Sequence, residues 1–248
     1  MKKTYFRFYE ELNDFLPEEK RKIEFEHFYI DRTSVKDMIE SLGVPHTEVD
    51  LILANGKSVN FHYIINDGDH ISVYPMFEAF DITDVQRLRP DPLREPKFVA
   101  DVHLGKLTHY LRMLGFDVKY KNDYNDEEIV LISLQEKRTI LTKDRGILKR
   151  NEVMHGYWVR SINVEEQTVE VIKRFDLKKL IKQFSRCMEC NSLLESVSKE
   201  EIIEQIPPKV SASQQLFNVC TSCKKIYWKG THHQKMNAFI QSVKNNIT

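Results

Sequence analysis

The sequence predicts an α/β chain in which a parallel-sheet domain stands between a smaller strand-rich unit and a cysteine-bearing tail. Three observations carry that expectation. From Lys97 to Phe175, short apolar runs alternate with helical periodicity, the order of parallel strands and crossover helices. Within residues 1–78, aromatic and β-branched runs surround an Asn55-Gly56 pair, a strong hairpin signal. After Leu180 come two C-x-x-C pairs, with Pro207-Pro208 and a polar stretch between them.

The composition agrees with this division. A chain of 248 residues that is 41% hydrophobic has room for one large domain or two to three small ones, and it excludes disordered and collagen-like classes. No apolar run approaches the ~18 residues of a membrane helix. Arg7 and Glu10 interrupt the start before a signal-type core forms, so the expected compartment is the cytoplasm. The net charge of zero hides an asymmetry. Residues 1–80 hold 9 Lys/Arg against 15 Asp/Glu, a net of −6, and residues 81–248 hold 28 against 22, a net of +6. A polyanion would prefer the second part.

In the first unit, strand-like segments at Tyr5 to Tyr9 and Lys22 to Ile30 precede a short helix. Thr33 or Ser34 is its N-cap, Val35, Met38, Ile39 and Leu42 its apolar stripe, and Gly43 its C-terminal stop. Strands at Asp50 to Ala54 and Val59 to Ile65 flank Asn55-Gly56, and Ile71 to Tyr74 closes the unit behind Asp67-Gly68-Asp69. This ββαβββ order resembles ubiquitin-like β-grasp domains related to small sulfur carriers. Such carriers end in Gly-Gly, whereas here the chain continues through Met76-Phe77-Glu78, so a binding or scaffolding module is expected. Pro90, Pro92 and Pro96 mark residues 79–96 as a linker.

Residues 97–180 are expected to hold the chemistry. Strands are predicted at Phe98 to Val102, Phe116 to Tyr120, Thr139 to Thr142 and Tyr157 to Arg160. Helices are predicted at Lys106 to Leu114, Asp126 to Glu136, Gly146 to Arg150 and Val164 to Phe175. In open parallel sheets, ligands meet the chain beyond the carboxyl ends of the strands. Asp101 ends one strand and Asp144 follows another, and Asn125-Asp-Glu-Glu128 opens a helix whose Asp126 or Glu127 can project to the same edge. Three converging acids repel one another unless a cation neutralises them, and hard oxygen ligands suit magnesium or manganese. Each acid also has a plainer role: Asp126 as a helix N-cap, Asp144 in a turn with Gly146, Asp101 in a salt bridge to Arg145 or Lys143. Lys106, Arg112, Lys143 and Arg145 are candidates to neutralise phosphate, with Arg112 also placed to pair with Asp117. His103 and His109 are not needed as ligands in a carboxylate site.

In residues 181–248, Cys187-Met-Glu-Cys190 and Cys220-Thr-Ser-Cys223 form two knuckles whose four thiolates suit one tetrahedral, structural zinc. Lys199 to Gln215 is expected to be an insertion or flexible loop. Phe217, Tyr227, Trp228, Lys224, Lys225 and Lys229 either stack bases and neutralise phosphates or form the core of the ribbon. Met236, Phe239, Ile240 and Val243 predict a short amphipathic helix at the end.

The string Lys97-Phe-Val-Ala-Asp-Val-His-Leu-Gly-Lys-Leu-Thr-His-Tyr-Leu-Arg-Met-Leu-Gly-Phe-Asp117, followed by Thr139-Ile-Leu-Thr-Lys-Asp-Arg145, closely resembles the Mut-seven C-terminal ribonuclease family, a PIN-like nuclease group. Members often join an N-terminal ubiquitin-like domain, this domain and a C-terminal zinc ribbon, so the resemblance spans nearly the whole chain. It implies metal-dependent hydrolysis of RNA by water, with Asp101, Asp126 and Asp144 as the acid cluster. Many PIN domains carry a fourth acid after the next strand, where this chain has Arg160 and Ser161-Ile-Asn163. That departure motivates an alternative, a non-catalytic RNA- or ribosome-binding adaptor whose β-grasp domain recruits a protein partner. A DNA nuclease is a third possibility, because nothing in the sequence marks a 2′-hydroxyl reader.

Overall fold

The computed structural model describes residues 1–75 and 96–247, so nearly all of the expected linker at 79–96 lies outside the described residues. By its internal contacts the chain divides into two compact units, Met1–Glu95 with Ser133–Trp158, and Pro96–Ile132 with Val159–Thr248. No helix among the described residues is long and apolar enough to cross a membrane.

The first unit begins with a five-stranded sheet of β1 (Lys2–Phe8), β2 (Phe25–Tyr29), β3 (Val49–Ala54), β4 (Lys57–Val59) and β5 (His70–Pro75). Its order is β2-β1-β5-β3-β4. The β1/β5 pair is parallel and the remaining pairs are antiparallel. Alternation along β1 turns Phe6 and Phe8 inward against α1 (Val35–Ser41), whose Val35 and Ile39 are fully buried. The Ser34 side chain caps α1 by accepting from the Asp37 amide at 3.1 Å. Asn55 and Gly56 both have positive φ, 49° and 78°, as a tight two-residue hairpin requires. β4 overlaps the expected Val59 to Ile65 strand only at Val59. The Asn60 side chain accepts from the His62 amide at 3.0 Å, a local turn that ends the strand, and Ile64 pairs again only as a bridge to Ser34.

A stretch of the α/β region belongs to this same unit. It holds β8 (Thr139–Thr142) and β9 (Gly156–Trp158), a parallel pair. The buried His46 ring reaches the Val153 carbonyl at 2.8 Å, and the buried Glu48 carboxylate accepts from the Trp158 amide at 2.6 Å. Lys36 donates to the Asn151 side chain at 2.7 Å, and the Phe15 and Trp158 rings lie 5.2 Å apart. One division between the units falls at Glu95/Pro96, within the proline-marked stretch, and two more fall inside the α/β region, at Ile132/Ser133 and Trp158/Val159.

The second unit carries β6 (Lys97–Ala100), α2 (Gly105–Met113), β7 (Asp117–Lys119), most of α3 (Asp126–Glu136) and α4 (Val164–Arg174). β6 and β7 are parallel. Phe98, Leu107, Leu111 and Val171 are fully buried, with Phe98 edge-on to Phe175 at 5.2 Å. Nearly every expected strand and helix of this region is present. The segment at Gly146 to Arg150 reduces to one tight turn, Ile147–Lys149.

The tail is a three-stranded antiparallel sheet, β10 (Leu194–Val197), β11 (Phe217–Cys220) and β12 (Ile226–Trp228), in the order β10-β11-β12. Lys199 to Gln215 is not the loop expected from sequence. It forms α5 (Lys199–Ile202) and α6 (Pro208–Ser213), and Ile202 and Ile206 pack on Phe217 as a small core. α5 starts with a reciprocal Ser198/Glu201 capping box, and α6 starts with a proline, which needs no amide partner there. α7 (Thr231–Asn246) is the amphipathic helix anticipated, with Ile240 and Val243 buried and Phe239 stacked on Tyr110 at 3.9 Å.

Candidate functional site

Asp101 and Asp144 share one local design. Each follows a strand of the parallel sheet by one or two residues, and each holds one carboxylate oxygen on the backbone amide two positions on. Asp101 Oδ1 accepts from the His103 amide at 2.8 Å, and Asp144 Oδ1 accepts from the Gly146 amide at 2.7 Å. The backbone thus aims both carboxylates. They differ in burial. Asp101 is 5% exposed, with His103 Nδ1 3.5 Å from its Oδ1, whereas Asp144 is exposed. An anion as enclosed as Asp101 needs partners or a cation.

Asp126 is the first residue of α3 and is half-buried. It is not the cap of that helix. Asn125 accepts from the Glu128 amide at 2.9 Å, and Glu128 accepts from the Asn125 amide at 2.9 Å. The Asn125-x-x-Glu128 spacing is a capping-box signal that the sequence carried. It removes the plainer role for Asp126. Asp144, by contrast, does make the turn with Gly146 that its plainer role required.

The four basic candidates fare differently. Lys106 is exposed in the first turn of α2 and lines a cavity with His103 and Tyr120. Lys143 is half-buried. Arg145 places its guanidinium 3.8 Å from the Trp158 ring centre and 5.2 Å from that of Phe15, an exposed cation stacked on two aromatic faces. Arg112 departs from expectation. It is 4% exposed, donating from Nε to the Val118 carbonyl at 2.9 Å and from Nη1 to the Met188 and Glu189 carbonyls at 3.2 and 2.6 Å. Burial holds its pKa below the ordinary arginine value, while Cys190, Cys187 and Asp117 pull the other way. A guanidinium committed to three carbonyls braces the first knuckle against α2 and has no free face for phosphate.

Asn191, which sequence reasoning passed over, completes that brace. Its side chain accepts from the Val118 amide at 3.0 Å and donates to Asp117 at 2.7 Å. A lone Asn after a knuckle carries no sequence signal for such a role.

The four cysteine sulfurs lie within 4.8 Å of one another. Cys187 to Cys223 is 3.6 Å and Cys190 to Cys220 is 3.3 Å, close to the ~3.8 Å edge of a tetrahedron with Zn–S bonds of about 2.3 Å. The four are positioned to bind a metal ion and are compatible with structural zinc. They are the only group of three or more potential ligands so gathered among the described residues, and the acids fall outside it. The Tyr227 hydroxyl touches Cys187 Sγ at 3.1 Å, and burial, then this contact, push its pKa up. The aromatic and basic residues here are mostly structural: Phe217 is core, Lys225 pairs with Glu189 at 2.6 Å, and Lys224 donates to the Thr221 carbonyl.

A ubiquitin-like fold, parallel α/β strands followed by acids and a four-cysteine ribbon stand together in this chain. The Mut7-C RNAse domain profile matches residues 96–240, and the Mut7-C ubiquitin profile matches residues 1–81. The chain belongs to the Mut7-C RNAse domain family. No curated protein and no solved structure matches it.

Proposed function

We propose that the chain is a metal-dependent ribonuclease that hydrolyses phosphodiester bonds of single-stranded RNA. The observation that carries this is the shared placement of Asp101 and Asp144 past strand ends, in a chain of a nuclease family. Asp101, Asp126 and Asp144 are the residues that would hold magnesium or manganese. Such a cation lowers the pKa of water and offsets charge on the phosphate. The backbone amides of His103 and Gly146 keep two of these carboxylates aimed. Lys106, Lys143 and Arg145 supply positive charge for the phosphate backbone. The four cysteines hold zinc as a structural ion, and Arg112 transmits the order of that knuckle to α2. The acidic ubiquitin-like fold serves as a module for recruiting a protein partner.

Labelled RNA and DNA of one sequence, incubated with magnesium, with manganese and with neither, test the proposal. Cation is omitted rather than chelated, because a chelator would also strip the cysteines. RNA cleavage that requires cation is expected to fall more than about a hundredfold in an Asp101→Asn, Asp144→Asn double variant, beyond the cost of losing an outer partner of a metal ligand. RNA binding without cutting in both proteins would replace the nuclease with the adaptor.

A further inference from the structure

Beside Asp101 lies a cavity of about 540 Å³, within the size range of small-molecule sites. It joins the carboxylate through His103, whose ring and amide both approach Asp101 Oδ1. Its lining combines two chemistries. Val102 and Ile162 are apolar yet 36% and 93% exposed, and the half-buried Tyr120 ring lies between solvent and the start of α2. Tyr120 is held there by donating its hydroxyl to the Val102 carbonyl at 3.2 Å. Gly105 makes this possible, since a Cβ at that position would lie 2.6 Å from the Tyr120 hydroxyl oxygen. The other chemistry is cationic. Lys106 stands exposed in the first turn of α2, which has no acidic residue.

Exposed apolar and aromatic faces next to a lysine match a nucleobase joined to a phosphate. We propose that this cavity is the subsite for one nucleotide of a single-stranded RNA substrate, the base against Tyr120, Val102 and Ile162 and the phosphate at Lys106 and His103. The proposal rests on the nuclease reading for its substrate and places one nucleotide next to Asp101.

Fluorescence anisotropy with a short labelled single-stranded RNA, in calcium, measures binding in the full chain without relying on cleavage. Lys106→Ala and Ile162→Asp, both at exposed positions, are each expected to weaken binding about tenfold or more, and Lys57→Ala in the β3/β4 hairpin controls for lost charge. The same variants should raise KM in the cleavage assay. Unchanged affinity in both variants overturns the subsite, even if the wild type cuts RNA, and leaves the nuclease reading intact. If the wild type cuts nothing in any cation while both variants still bind more weakly, the subsite stands and the nuclease reading fails. A wild type that neither binds nor cuts overturns both.

Discussion

The N-terminal sheet and the cysteine ribbon gather their interiors on very different scales. In the first, 16 buried residues from Phe6 to Val73 meet in one core, and α1 and five strands close around them. In the ribbon, three buried residues, Ile202, Ile206 and Phe217, serve three strands and two short helices. Apolar burial at about 25 cal/mol per Å² can order the first fold. A core of three side chains cannot offset the chain entropy of the second, which is the regime where small modules depend on a metal. The lesson concerns where order originates: side-chain volume in one region, four sulfurs gathered within reach of one metal ion in the other.

The sharpest way to break this contrast is to remove the metal. A Cys187→Ser, Cys220→Ser variant should lose most of a zinc-binding free energy that is about 10–16 kcal/mol in structural zinc peptides. Amide exchange in β10 to β12 should become fast while β1 to β5 stay protected. Retained protection in β11 would show that the three-residue core suffices. Next in size, Phe6→Ala opens the fully buried centre of the large core and should cost about 3–5 kcal/mol in urea unfolding of the first fold, with zinc affinity unchanged. The smallest effect is a pH slope. Burial, then Lys20, hold the pKa of His27 below its ordinary value, with the ring edge-on to Phe6 at 6.4 Å. The unfolded chain takes up that proton first, so this contribution is present above about pH 6.5 and is lost as the pH falls through it. His27→Gln should flatten the fall in the urea midpoint between about pH 7.5 and 5.5; an unaltered slope would remove His27 from the account.

Local signals were the legible part of this chain. The bounds of α3 and β8 coincide with the sequence expectation, because apolar period and flanking charge decide both. Asn55-Gly56 placed the hairpin for the same reason. What depends on distant partners was hidden. The commitment of Arg112 to three carbonyls required knowing that Met188 and Glu189 come to α2. The helices at Lys199 to Gln215 are individually too short for a periodic signal, and they exist because Phe217 gives Ile202 and Ile206 a surface. At the acids, type and position along the chain are readable, but Asn125 and Asp126 are both good N-cap types, and only the bond from the Glu128 amide to Asn125 separates them.

The stack of Arg145 on Trp158 and Phe15 bears on how this protein is handled at the bench. A fragment beginning at Lys97 would look like a whole nuclease domain on a sequence diagram. It would discard Phe15, and with it the Glu48 carboxylate that receives the Trp158 amide and the His46 ring that meets the Val153 carbonyl. The Trp158 ring and amide would lose those partners, and Arg145, the residue next to Asp144, would lose one of its two aromatic faces. Such a truncation is a poor reagent for testing catalysis, because silence from it would report a stripped surface rather than an inactive site.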